Sequence, residues 1–136
     1  MEHMNLGKIC LAIVAAAIAG SITDWIFFGM LFHDKYLVHP EVWKHRGEGE
    51  GKQIAISSLV GLLSSAVFIL LCGGLYMDSY HSALKLAVGI WLAGSFPVVA
   101  NEHVFMKLHP ALLFSHSAGY LVRFVLAAVA YILIGR

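Results

Sequence analysis

A chain of 136 residues that is 60% hydrophobic, with mean hydropathy +0.80, has too little polar surface to cover a water-soluble core of its size, whereas lipid requires no such cover. Acidic and basic residues nearly cancel, for a formal net charge of +1 at pH 7, which leaves no basic surface for nucleic acid and no polybasic segment for anionic lipid. The lipid bilayer is therefore an expected partner, and nucleic acid is not.

The first apolar stretch, Leu6–Phe32, begins like a secretory signal, with Lys8 near its start and the small residues Ala17-Ile18-Ala19 inside it. The run continues through Ile22, Trp25, Ile26, Phe27 and Phe28 to Phe32, so an uncleaved first span is expected. At about 1.5 Å per helical residue it exceeds the ~30 Å hydrocarbon thickness of a bilayer. So do the stretches that follow, Ile54–Met77, Leu84–Met106 and Ala111–Ile134. The expected fold class is all-α, a four-transmembrane-helix bundle forming a single integral membrane domain over residues 1–136, with a short interfacial helix in the first loop.

That loop, Asp34–Lys52, holds the interfacial segment His39-Pro40-Glu41-Val42-Trp43-Lys44, which opens with proline at a first-turn position and carries a tryptophan suited to headgroup depth. Gly47-Glu48-Gly49-Glu50-Gly51 then reads as a flexible connector. Small residues recur at four-residue spacing, as Ala12, Ala16 and Gly20, as Ser57, Gly61 and Ser65, and as Gly89 and Ala93, which allows helices to approach closely in lipid. Such stripes are ordinary bundle seams, and one that faces outward would suit a homo-oligomer. Pro97 removes a helical hydrogen bond and is expected to kink the third span just before Asn101 and Glu102.

An even number of spans puts the N-terminus, the Met77–Ala83 turn and the C-terminus on one side, called side A, and the 34–52 and 107–110 loops on the other, side B. Lys35, Lys44, Arg46, Lys52 and Lys107 lie on side B against Lys8, Lys85 and Arg136 on side A, so the positive-inside tendency places side B in the cytoplasm, with the bacterial inner membrane as the expected location. Cys10 and Cys72 fall at similar depth near side A. They could form a pair, but packing residues are the favoured reading, and neither sits in a Cys-x-x-Cys spacing.

Charges inside a span cost several kcal/mol unless paired or hydrated. Asp24 in the first span and Arg123 in the fourth lie about one helical turn apart in depth, so they are expected to pair. The pair could be no more than a clamp that fixes helix packing. On the fourth span His116, Tyr120 and Arg123 follow i, i+4, i+7 spacing and form one polar face beside Gly119. Asn101 and Glu102 approach from the third span at the same end, which completes a candidate ligand or proton pocket of Asp24, Asn101, Glu102, His116, Tyr120 and Arg123 between the first, third and fourth spans.

Histidines 33, 39, 45, 103, 109 and 116 fall on the side B half, against His3 and His81 on side A. Most single histidines are interfacial or packing residues. As a group, however, His103, His109 and His116 with Glu102 offer ligand types that suit zinc, iron or copper, so a transition metal or a haem is one expectation for a cofactor. The Glu-x-x-His pairs of di-iron bundles and the His-Glu-x-x-His of zinc peptidases are missing. His33 points roughly opposite Asp24 on an ideal helix and is not expected in the same cluster. Ser115 and Ser117 flank His116, but serines in spans usually bond back to their own helix, which makes nucleophilic catalysis the weaker reading. The aromatic run Trp25, Phe27, Phe28, Phe32 and Tyr36 fits lipid contact and interface anchoring better than a cofactor box.

The plan of the chain resembles the membrane proteins grouped as domain-of-unknown-function family 1761. The resemblance rests on Gly29-x-Leu31-Phe32 at the end of the first span followed by Trp43, and on Asn101-x-x-x-Phe105 leading to Ala118-Gly119-Tyr120 in the last span. Members of that family often carry an acid just before the Gly-Tyr pair, where this chain has His116-Ser117. The resemblance implies a four-helix membrane fold and no particular activity. From the residues, the leading expectation is a membrane protein that binds a small-molecule ligand or metal in a polar pocket, ahead of catalysis. A proton-coupled transporter, a metal- or haem-dependent enzyme and a structural accessory subunit are the alternatives.

Overall fold

The computed structural model describes residues 5–43 and 50–136. His3, Lys44, His45, Arg46 and the glycines of the expected connector at 47 and 49 lie outside the described residues. Four helices are long and apolar enough to cross a membrane: α1 (Leu6–Leu31), α3 (Gly51–Gly74), α4 (Tyr80–Phe105) and α5 (Pro110–Gly135), with the four-residue α2 (His33–Tyr36) between the first two. These helices make the chain an all-α membrane protein. Among the described residues there is no strand.

The ends follow local chemistry. Asn5 caps α1 by accepting from the Lys8 N–H, and Ser79 with Ser82 forms a capping box that starts α4 four residues ahead of the sequence expectation. Helix α3 starts three residues early, at Gly51, and ends at Gly74 before Tyr76, whose φ of 53° cannot continue a helix. The expected interfacial helix at 39–44 is instead a single 3₁₀ turn, Pro40–Val42, while the preceding helical turn is α2. Outside the spans, a hydrogen bond from its own backbone N–H holds the Glu41 carboxyl below the usual carboxylate range, and His39, with Nδ1 3.3 Å away, adds to this.

Pro97 acts one turn earlier than expected. Its ring has no N–H and crowds the carbonyl four residues back, and just before it the helix widens into π-type turns over Trp91–Ser95. Trp91, in that wide turn, donates from Nε1 to the Ser117 carbonyl at 2.9 Å and so ties α4 to α5. Trp91→Phe removes this bond and keeps an aromatic ring, though a smaller one, so a loss of at least about 0.5–1.5 kcal/mol is expected in a detergent-unfolding titration, and an unchanged midpoint would show the bond is exchanged for another.

Helix α5 is the hub, packing against α1, α3 and α4, whereas α4 packs chiefly on α5. The seam uses small residues: Ala12, Ala16 and Gly20 of α1, Ala83 and Ala87 of α4, and Ala127 and Ala128 of α5 are all buried. Gly89 and Ala93 face outward. The apolar core, with Ile9, Phe68, Ile69, Cys72 and Tyr131, lies in the side A half. Cys72 is buried there and Cys10 faces outward, both as free thiols. Toward side B the bundle loosens. Residues 51–60 of α3 are exposed, and an apolar groove of about 780 Å³ opens between α1 and α3, flanked by Ile18, Trp25, Leu59 and Leu62. Its walls do not include the charged residues.

Candidate functional site

Arg123 extends from α5 to Asp24 on α1 and forms the expected ion pair, its Nη2 donating to Asp24 Oδ2. The guanidinium is almost wholly enclosed, with 5% of the residue exposed, and it passes between two glycines. A Cβ on Gly20 of α1 would stand 3.4 Å from its Cζ, and a Cβ on Gly61 of α3 would overlap it. The charged arm therefore lies where two helices have surrendered their side chains. Its second terminal nitrogen, Nη1, is buried with no hydrogen-bond partner among the described residues.

Beside this pair is a cleft of about 70 Å³ lined by Asp24, Phe28, Ser57, Val60, Gly61, Ser64, His116, Tyr120 and Arg123. The i, i+4, i+7 face of α5 is thus present as expected. The partner helix is not the expected one: the cleft lies between α1, α3 and α5, the first, second and fourth spans, and not against the third. Ser57, Gly61 and Ser64 replace Asn101 and Glu102, which are exposed on α4. Successive helical residues point about 100° apart, so of Asn101, Glu102 and His103 only one can face α5. That residue is the partly buried His103.

Nor does the structure gather His103, His109, His116 and Glu102. Among the described residues no three His, Cys, Asp or Glu side chains are placed to hold one metal ion. His109 caps α5, its Nδ1 accepting from the Ala111 N–H at 3.1 Å, and His33 is exposed away from the cleft. His103 and His116 alone adjoin, with ring centres 6.4 Å apart and planes at 83°. The aromatic run also divides: Trp25 faces outward, whereas Phe28 and the buried Tyr36 stand 5.2 Å and 5.6 Å from the His116 ring. Tyr36 further contacts Trp43, and its hydroxyl lies 3.4 Å from Ser115 Oγ, so the first loop is anchored over the side B end of α5.

Four apolar spans that hold a charged pair between them define a small polytopic membrane protein. The model of the family described as "Protein of unknown function (DUF1761)" matches residues 11–132, nearly the whole chain, and the protein belongs to that family. Comparison with curated proteins and with solved structures returns no match.

Proposed function

We propose that the cleft beside Asp24 and Arg123 binds a small polar solute within the membrane, reached from side B. The observation that carries this reading is the buried, unpartnered Nη1 of Arg123 in a wall shared with Asp24, His116, Tyr120, Ser57 and Ser64. An unmet donor on a buried charge costs free energy, and a bound acceptor would recover it. The pair has no net charge, so a neutral or zwitterionic solute with both an acceptor and a donor suits it. The cleft, at about 70 Å³, suits a solute of a few heavy atoms and is too small for a haem. Transport of the same solute is a second reading, favoured by the position of the pair inside the spans. On the lysine and arginine bias, side B faces the cytoplasm of a bacterial inner membrane.

The test is a titration of nanodisc-embedded protein with formamide, acetate and methylammonium, followed through the side-chain nitrogen resonances of Arg123. Formamide is expected to shift them saturably and the two ions to do so less. Tyr120→Phe and Ser57→Ala are each expected to weaken binding about threefold to tenfold, the value of one hydrogen bond. Resonances unmoved by all three probes would reduce the pair to a packing clamp.

A further inference from the structure

The histidine pair at the side B end is distinct from the charged cleft and shares only His116 with it. We propose that His103 and His116 form a two-coordinate site for a soft monovalent cation of the copper(I) or silver(I) class.

The tautomer of His103 is set by its own helix. Its Nδ1 lies 2.9 Å from the Val99 carbonyl, which can only accept, so Nδ1 carries the hydrogen and Nε2 keeps the lone pair. That Nε2 is buried and has no hydrogen-bond partner among the described residues. An imidazole held by a backbone carbonyl at one nitrogen and free at the other is the arrangement that orients a metal-binding histidine.

The separation then selects the ion. Ring centres 6.4 Å apart match the spacing that two collinear bonds of about 2 Å between facing nitrogens require, whereas a direct imidazole hydrogen bond or the bent angle of a tetrahedral centre would draw the rings closer. Charge points the same way. Asp24, which shares the cleft wall with His116, is already neutralised by Arg123, and Glu102 is exposed, so neither carboxylate is left to balance a dication, whose desolvation cost grows as the square of its charge. Zinc or iron(II) would also lack the third and fourth protein ligands they require. A monovalent ion held by two imidazoles needs neither, and imidazole suits copper. The Phe28 and Tyr36 rings pack against His116 and hold its imidazole in place.

The experiment is a copper(I) titration of the full chain in lipid nanodiscs under ascorbate against a competing chromogenic chelator, repeated with silver(I) as a redox-inert probe. One equivalent is expected to bind, with an X-ray absorption edge of two-coordinate copper(I) and two nitrogen scatterers at about 2 Å. His103→Ala and His116→Ala are each expected to weaken binding about a hundredfold or more, zinc to bind wild type more weakly by a similar factor, and His109→Ala or the Cys10→Ser/Cys72→Ser pair to change nothing. Absence of binding by wild type, a sulfur scatterer, or copper retained after loss of His103 would each overturn the proposal. The wild-type stoichiometry and spectrum decide it even if a histidine variant fails to fold. Formamide binding at Arg123 stands or falls separately.

Discussion

Asp24→Ala is expected to be the most damaging substitution of a charged residue in this chain, and the Asp24→Ala/Arg123→Ala double variant is expected to be milder than either single one. Removing one partner of a buried ion pair leaves the other's charge desolvated without compensation, at a cost of about 3–5 kcal/mol. The two singles should differ because the partners are not equally enclosed: the Arg123 side chain is 6% exposed and that of Asp24 is 22% exposed. A stranded Asp24 finds some hydration from the cleft, so Arg123→Ala should fall at the lower end of that range. A stranded Arg123, confined between Gly20 and Gly61, does not. The double variant loses packing volume but strands nothing, so it should recover more than the difference between the two singles, about 2–3 kcal/mol relative to Asp24→Ala. Steric-trapping measurements in bicelles would read these differences directly. Equal damage from the singles and the double would show that the charges are not coupled and that only the volume of the arginine matters.

The sequence makes the fold and the ion pair legible for the same reason: lipid tolerates few exceptions. Long apolar runs have only one stable form in a bilayer, and two opposite charges at matching depth in different spans have little choice but to meet. What it leaves unread is azimuth. Glu102 and His103 are adjacent in the chain and face differently, and Glu102 is close enough to the end of α4, at Phe105, to reach the headgroups, so its charge carries no demand for a buried partner. The stripe of Ser57, Gly61 and Ser65 is visible as a seam, but spacing alone cannot tell a glycine that admits a neighbouring backbone from one that admits a guanidinium. Pro97 shows the same limit. A local defect beside it is predictable, but its form, wide turns over Trp91–Ser95 with the Trp91 ring bonded to α5, is not. For the histidines, count and depth alone predict a larger cluster than the His103–His116 pair found among the described residues.

Gly61→Ala, a change of one methyl group, is expected to unlock the site. In an ordinary exposed helix this substitution stabilises by about 1 kcal/mol through backbone propensity. Here the new Cβ would stand 2.8 Å from Cζ and 2.9 Å from Nη2 of Arg123 and would overlap Nη1. On a surface the end of an arginine swings aside at little cost. This one is enclosed and bonded to Asp24, so moving it breaks the ion pair or parts α3 from α5, and a net loss of about 1–3 kcal/mol is expected, as for other overpacked interiors. Gly20→Ala, whose Cβ would meet the same guanidinium at 3.4 Å, needs only a small adjustment and should stay within about 1 kcal/mol of wild type. The decisive comparison is made without the pair. In the Asp24→Ala/Arg123→Ala background the space is empty, and Gly61→Ala should become neutral or stabilising there. If it remains equally damaging, Gly61 serves the approach of the α3 and α5 backbones, and the passage of the guanidinium beside it is incidental.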